Sequence, residues 1–396
     1  MYSYFIQFTI PKIGQALVAL VLYANFLTLP FVGLLRATPL LYLGVPLALL
    51  WLLSYISRDP LGSGMIFAGH LTAFYVLYDL LWGLALLAER QGAAGAVRVW
   101  RIAMLGGLLP WAATAALMLW GRHRAKTLYT TTYRLTTPKA LPNGGLRLVQ
   151  LSDIHPGPTM NHTRLDELRA RIDACRPDLI VLTGDIYDEY TARAEFDAFN
   201  DFFASLHPPL GKWFVYGNHD LGHHWREPSY DRAALESAFA KAGVRVLEDV
   251  AVTVPCGPQG PALRIVGRKD WLYAEHRRFA AAELLPSGPD DCYTIWLDHE
   301  PRELKDAAAA GADVILCGHT HGGQIWPTGL LARIFRYNEI NYGCRAITPS
   351  CAAVVSGGTG TWGYRIRTEG RTEVVCVEIT QEAPEVRGLP VNGCLG

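Results

Sequence analysis

The apolar positions change pattern near residue 121. Before it, the stretches 13–35, 37–55, 65–87 and 102–120 are apolar on every side, with few charges. Crossing a hydrocarbon core of roughly 30 Å takes about 20 residues at about 1.5 Å rise each. A buried helix of a soluble protein would keep a polar stripe. The pattern therefore predicts four spans, with 1–121 a transmembrane helical bundle. The leading stretch does not read as a cleaved signal, because further spans follow it and no clear cleavage site appears. His70 and Asp79 lie in the third span. Nine residues at about 100° each place them on opposite helix faces, so each is expected to hydrogen-bond to a neighbouring helix.

Residues 122–145 are basic and then polar, with Pro138, Pro142 and "NGG", and read as a linker. From Leu146 short apolar runs alternate with amphipathic ones. "LRLVQLS", "DLIVLTGD", "KWFVYGN", "CYTIWLD", "DVILCGH", "AAVVSGG" and "TEVVCVEI" read as strands, with others near 244–268. "TRLDELRARIDACR", "EFDAFNDFFASL", "RAALESAFAKAG" and "PRELKDAAAAG" read as helices, with apolar positions three and four apart. Short apolar strands joined by helices predict an α/β domain over 146–380, followed by a tail at 381–396.

Composition narrows the function. Lys plus Arg and Asp plus Glu are both 36, so no global basic field suggests a nucleic acid partner. All eight cysteines lie beyond residue 121 with no CxxC pair, so no structural zinc site is signalled, and they read as buried thiols.

The polar residues of the α/β part fall at strand ends, where ligands gather in such sheets. Asp153 and His155 follow the strand at 146, and Asp185 follows the next. Asn218, His219 and Asp220 follow the third, His299 follows "YTIWLD", and His319 and His321 follow "VILCG". His319 and His321 are two apart at a strand end, so they point the same way. The donors are oxygen and nitrogen without thiolate, which suits manganese, iron, zinc or cobalt better than calcium. They are too many for one tetrahedral ion. Two ions about 3.5–4 Å apart would use them all, generate a hydroxide near neutral pH and clamp an in-line displacement at phosphorus. A histidine left off the metals would be the general acid.

In order, "SDIH", "GDIYD", "GNHD", the His of "LDHEP" and "GHTHGG" resemble the signature of the calcineurin-like metallophosphoesterases over 146–380. The apolar N-terminus, "GHTHGGQ" and "GGTGTWGYRIR" at 357–367 resemble the membrane-anchored bacterial members. The resemblance implies a four-layer α/β/β/α sandwich and a bacterial inner-membrane location. It also implies one metal on Asp153, His155 and His321, a second on Asn218, His299 and His319, and Asp185 bridging. His219 would assist the leaving group and Asp188 would orient it, with Asp220 as a competing partner. The implied substrate is a phosphate mono- or diester; the anchor is equally consistent with a lipid-linked phosphoester or pyrophosphate and with a role confined to localising the enzyme. A scaffold or sensor module that has lost catalysis is the other reading, although every ligand position is filled.

Basic residues set the topology only narrowly. Lys12, Arg58, Arg122, Arg124 and Lys126 on one side, against Arg36, Arg90, Arg98 and Arg101 on the other, favour a cytoplasmic catalytic domain. Pro156 departs from the family pattern, and Asp298 and Glu300 flanking His299 make an acidic setting expected to repel a polyanion. "GTGTWG" at 358–363 fits a dinucleotide fingerprint, but "YRIRTEGRTEVV" after it alternates like a strand where that motif needs a helix. Gly358 and Gly360 are instead expected to offer backbone N–H groups to phosphate, with Arg365 or Arg367 assisting. "GHHWREP" supplies His223, His224 and Trp225 as a loop that could line the cleft.

Overall fold

The computed structural model describes residues 63–381 apart from 104–107, 158, 223–227, 257–261, 272–276 and 286–290. The chain forms two compact units, Met1–Arg122 and His123–Gly396.

In the first unit, helix α1 (Ser63–Arg90) is followed by α2 (Ala96–Ala103) and α3 (Leu109–Lys126). Two of the expected spans, 13–35 and 37–55, lie outside the described residues. The third coincides with α1, whose Ile66–Arg90 is the one helix among the described residues long and apolar enough to cross a membrane. It exposes Leu77, Leu80, Leu84 and Leu87. The fourth, 102–120, falls partly on 104–107, and α3 runs past its expected end so that "GRHRAK" forms its last turns. His70 is buried, and its Nδ1 lies 2.8 Å from the Ile66 carbonyl of its own helix.

The linker reading of 122–145 is overturned. Leu128–Thr137 is a ten-residue strand, β1, paired in parallel with the last strand from Leu128↔Thr372 to Thr137↔Gln381. Its threonines suit a strand, and its place at a sheet edge explains the polar composition that hid it. Only Tyr133 and Leu135 of its middle and end enter the core between the sheets.

The strands and helices after it are β2 (Gly145–Leu151), α4 (Leu165–Cys175), β3 (Leu179–Thr183), α5 (Arg193–Ala204) and β4 (Lys212–Val215). Next come α6 (Arg232–Lys241), β5 (Val244–Val246), β6 (Val250–Pro255), β7 (Ala262–Gly267), α7 (Ala281–Leu284) and β8 (Tyr293–Leu297). The remainder are α8 (Leu304–Ala310), β9 (Val314–Cys317), α9 (Thr328–Ile334), β10 (Gly343–Thr348), β11 (Cys351–Val355) and β12 (Thr372–Gln381). Residues 364–371, expected to extend a strand, are irregular; the strand starts at Thr372.

Two six-stranded sheets result, ordered β1-β12-β2-β3-β4-β5 and β10-β11-β9-β8-β7-β6. Strand alternation decides the layers. Leu146, Leu148, Leu179, Val181, Trp213 and Val215 of one sheet meet Ile265, Ile295, Leu297, Val314, Leu316 and Val354 of the other. Their odd-numbered or even-numbered neighbours, such as Val149, Ile180 and Phe214, face outward onto Leu168, Ile172, Phe199 and Phe239 of the helices. On the far side Trp296, Ile315 and Val355 pack on Leu304 and Ala307. The expected α/β/β/α sandwich is therefore the observed one. Because β2, β3 and β4 run parallel, as do β7, β8, β9 and β11, each sheet gathers several carboxyl ends at one edge. Gln150 ties the two edges together: its Nε2 donates to Thr183 Oγ1 and to the Cys317 carbonyl, both at 2.8 Å.

Candidate metal centre

Past the ends of β2, β3 and β9 the chain turns abruptly. Asp153, His155, Asp185, His319 and His321 hold φ of 50°, 43°, 51°, 69° and 50°. Left-handed backbone at non-glycine residues costs about 1–3 kcal/mol each and persists where surroundings over-determine it. Here the surroundings are mutual hydrogen bonds. Asp153 N donates to the Gly184 carbonyl at 3.0 Å, Ile154 N to that of Asp185 at 2.9 Å, and Gly318 N to that of His299 at 2.9 Å. Gly318 allows this approach, since a Cβ there would stand 1.9 Å from Ser152 Oγ.

The side chains converge in two groups, Asp153 with His155 and His321, and Asp185 with His299 and His319. Within each group one donor atom per residue lies within 4.8 Å of the others. His321 Nε2 is 3.3 Å from Asp153 Oδ1, and His299 Nε2 is 3.2 Å from Asp185 Oδ2. Asp185 Oδ2 is also 3.6 Å from His155 Nε2, so this carboxylate reaches both groups. Asn218 Oδ1 stands 2.9 Å from His319 Nδ1 and 3.2 Å from His299 Nε2, which joins it to the second.

Outer contacts fix these rings. His299 Nδ1 is 2.8 Å from the Thr183 carbonyl, so Nε2 is the nitrogen turned to the site. His155 Nδ1 is 3.0 Å from Asp188 Oδ2. Ser152 Oγ donates to Asp153 Oδ2, and the amide of His319 donates to Asp153 at 3.1 Å. Asp220 does not partner His219. It accepts the amides of Gly217 (2.7 Å), Asp185 (2.8 Å), Ile186 (2.8 Å) and Tyr187 (3.1 Å), and so shapes the turn that carries Asp185.

Asp188 does not orient His219 either. Its carboxylate belongs to His155, and the carboxylate on His219 Nδ1 is that of Glu189, 3.0 Å away. Glu189 is a residue the sequence reading missed. Its only signal was an acid adjacent to the motif "GDIYD". The His219 amide donates to Asp185 Oδ1 at 2.8 Å, and its ring lies 5.1 Å from that of Trp362.

Burial disfavours charge on every group here, and neighbours decide the outcome. At His155 the bond to Asp188 and the carboxylates of Asp185 and Asp153 outweigh burial and lift the imidazole to about 9. Burial, then the charge of His299, pushes His319 down to about 3; burial and His155 hold His321 well below its ordinary value. Burial also opposes charge on His219, but the Glu189 bond and Asp185 raise it. The acidic setting of His299 is neutralised: Asp298 pairs with the buried Arg278, and Glu300 lies 2.9 Å from Arg302 Nε. Burial raises Asp298 to about 7 against the pull of Arg278 and Arg268.

The glycine-rich segment at 357–367 has a different job from the one expected. Gly358 N donates to Ser356 Oγ at 3.0 Å and Gly360 N to the Asp153 carbonyl at 2.9 Å, so neither amide is offered to phosphate. A Cβ at Gly360 would lie 1.9 Å from the Ile154 carbonyl oxygen. Arg367 is wholly buried and donates to the carbonyls of His321 (2.6 Å), Gly357 and Gly360 (2.9 Å). The segment braces Asp153 and His321 from behind. Arg365 is exposed on the same segment. His223, His224 and Trp225 lie outside the described residues.

The donor set fits divalent metal. Each group offers one carboxylate and two imidazoles, all but His319 buried. His155 Nε2 is buried without a hydrogen-bond partner and faces Asp185 Oδ2. Mixed oxygen and nitrogen donors suit first-row ions.

Comparison with known proteins agrees. The model of the family described as "Calcineurin-like phosphoesterase" matches residues 146–323. The chain is 33% identical over 255 residues to an "Uncharacterized metallophosphoesterase" of Aquifex aeolicus (strain VF5), covering 62% of this chain and 90% of that protein. It is similar to proteins named "Transmembrane protein with metallophosphoesterase domain" from Danio rerio and Bos taurus. The first is 29% identical over 252 residues, 60% of this chain and 54% of that protein. The second is 28% identical over 362 residues, 84% and 75%. The chain thus spans about half the length of the Danio rerio relative. With two metal-competent groups at the carboxyl edges of a four-layer sandwich, the chain belongs to the calcineurin-like metallophosphoesterases.

Proposed function

We propose that this chain is a membrane-associated hydrolase of phosphate mono- or diesters that works with two divalent ions, manganese, iron or zinc. The observation that supports it most is the position of Asp185, within 3.6 Å of His155 and 3.2 Å of His299, between the two donor groups. Asp153, His155 and His321 would hold one ion, Asn218, His299 and His319 the other, and Asp185 both. Ions held there supply charge against phosphoryl oxygens and an acidified water as nucleophile. His219 would carry the proton to the leaving oxygen, kept charged by Glu189 and steadied by its amide bond to Asp185. Asp188 would keep the His155 ring turned so that Nε2 faces the site. Nothing in this division of labour requires Gly358 or Gly360 to touch substrate, whereas Arg365 is exposed and able to.

The apolar helix Ile66–Arg90 supports membrane association, as do the "transmembrane" names of relatives. An anchor of this kind would suit a lipid-linked phosphoester or pyrophosphate as substrate; a multi-span anchor on 1–121 rests on the apolar stretches of the sequence, and a cytoplasmic catalytic domain on the balance of its basic residues. A silent scaffold is the poorer reading, since both donor groups are complete.

The test uses full-length protein in detergent with manganese and bis(p-nitrophenyl) phosphate or its monoester. Hydrolysis with about two ions per chain supports the reading, and Asp185→Asn should cut it by at least about a hundredfold. Undiminished hydrolysis by metal-stripped Asp185→Asn would refute it.

A further inference from the structure

Five residues after His321 begins a segment unlike the rest of the catalytic domain. In α9 and the turn after it, Leu330, Leu331, Ile334, Phe335 and Tyr337 are exposed, Ile334, Phe335 and Tyr337 by more than 60%. Trp326 before the helix is exposed too. Only Gly329 of the helix is buried. Soluble domains rarely leave so many large apolar side chains contiguous and uncovered. Residues 325–337, "IWPTGLLARIFRY", contain no acid and two arginines, Arg333 and Arg336.

The segment is held to residues 362–369, which continue the stretch that braces Asp153 and His321. Gly329 N donates to Glu369 Oε2 at 2.9 Å and Trp326 N to Thr368 Oγ1 at 2.9 Å. Gln324 clasps Trp362, with Nε2 to its carbonyl at 2.9 Å and its amide to Oε1 at 3.1 Å. Trp362 is itself exposed, and its ring lies tilted 5.1 Å from that of His219. The exposed apolar strip from Trp326 to Tyr337 is thus tied through Gln324 to Trp362, whose ring lies beside the proposed proton donor.

Beside the strip lies a cavity of about 850 Å³ whose lining includes Arg124, Arg302, Arg333, Arg336, Arg345 and Arg371 against three glutamates. Some of this charge is spent internally, as Arg333 lies 3.5 Å from Glu369 and Arg302 2.9 Å from Glu300. The balance is still positive. Apolar side chains with aromatics at both ends and arginines alongside are what an interfacial segment presents to headgroups.

We infer that residues 326–337 are a second, peripheral membrane contact of the catalytic domain, which seats the mouth of the metal site on an anionic lipid surface. The apolar side chains enter the headgroup boundary while the arginines of the cavity meet lipid phosphates. The occupant is a bilayer rather than a second copy of this chain, because the surface is positive and a copy would oppose like charge. The contact is distinct from the proposed span at Ile66–Arg90 and does not depend on catalysis.

Full-length protein is reconstituted into vesicles of phosphatidylcholine with or without phosphatidylglycerol, with a photoreactive phenylalanine analogue replacing Phe335 and, as control, Val250, which is exposed on the edge strand β6. Expected are phospholipid adducts at 335 but not 250, more abundant with phosphatidylglycerol. Arg333→Glu with Arg336→Glu should lower them by about fivefold per arginine. Adducts to another copy of the chain, or equal lipid adducts at both positions, would overturn the inference. Ile334→Glu adds a functional arm: hydrolysis of a vesicle-borne phosphoester should fall while that of bis(p-nitrophenyl) phosphate is kept. Loss of both would count against a surface role, and adduct formation stays readable if no ester is hydrolysed.

Discussion

Glu189 Oε2 lies 3.0 Å from His219 Nδ1, while the neighbouring Asp188 lies 3.0 Å from His155 Nδ1. Two consecutive carboxylates thus serve two different imidazoles. Asp188 is fixed in its direction because its other oxygen accepts from Tyr190 N at 2.9 Å and Thr191 Oγ1 at 3.0 Å. On the proposed function, this arrangement would separate a metal-holding task from a proton-moving one.

That separation gives a paired prediction. Asp188→Asn should weaken metal binding by about 10–100-fold, since partners of ligand histidines have effects of that size. Glu189→Gln should keep metal content and lower kcat. Metal titration followed by calorimetry, beside turnover at saturating manganese, would separate the two. Metal loss in Glu189→Gln would show the assignment to be reversed.

His219→Ala should retain both ions and lose about 10²–10⁴-fold in turnover, the usual span for a general acid. Esters with very acidic leaving groups need less proton assistance and should lose less. An equal loss across leaving groups would argue that His219 binds the phosphoryl group instead.

The pH profile tests the same pair. A group that must be protonated gives a limb that falls as pH rises. Burial lowers the His219 value, but the Glu189 bond and Asp185 raise it above the ordinary histidine range. Removing the Glu189 charge should therefore move the alkaline limb of kcat/KM to lower pH, while Asp188→Asn should leave it in place. A limb that stays put in Glu189→Gln would detach His219 from it.

Arg367 and Arg365 should behave oppositely. Arg367→Met strands three buried carbonyls at 357, 360 and 321, a cost of about 3 kcal/mol or more, visible as a lower Tm and lost metal. Arg365 is exposed, so Arg365→Met should keep stability within about 0.5 kcal/mol and, if it meets substrate, raise KM. A normal Tm with raised KM in Arg367→Met would return it to the substrate side.

The sequence by itself determined the sandwich strands, because runs such as "LIVLTGD" and "VILCGH" are buried on both faces and end in polar residues. It determined the donor set too, since metal chemistry needs those residue types and no others at the strand ends. Local pattern could not find β1, because a threonine-rich edge strand half-exposed to solvent reads as a connector; only its partner β12, some 240 residues away in the chain, makes it a strand. Tertiary structure alone decided which carboxylate serves which imidazole. Asp188, Glu189 and Asp220 are close in sequence to the same motifs, and their directions are set by hydrogen bonds to distant backbone and rings. It decided likewise that the amides of Gly358 and Gly360 are spent inside the protein, one on Ser356 and the other on the backbone at Asp153. Spacing tells which groups are available; packing tells which are already used.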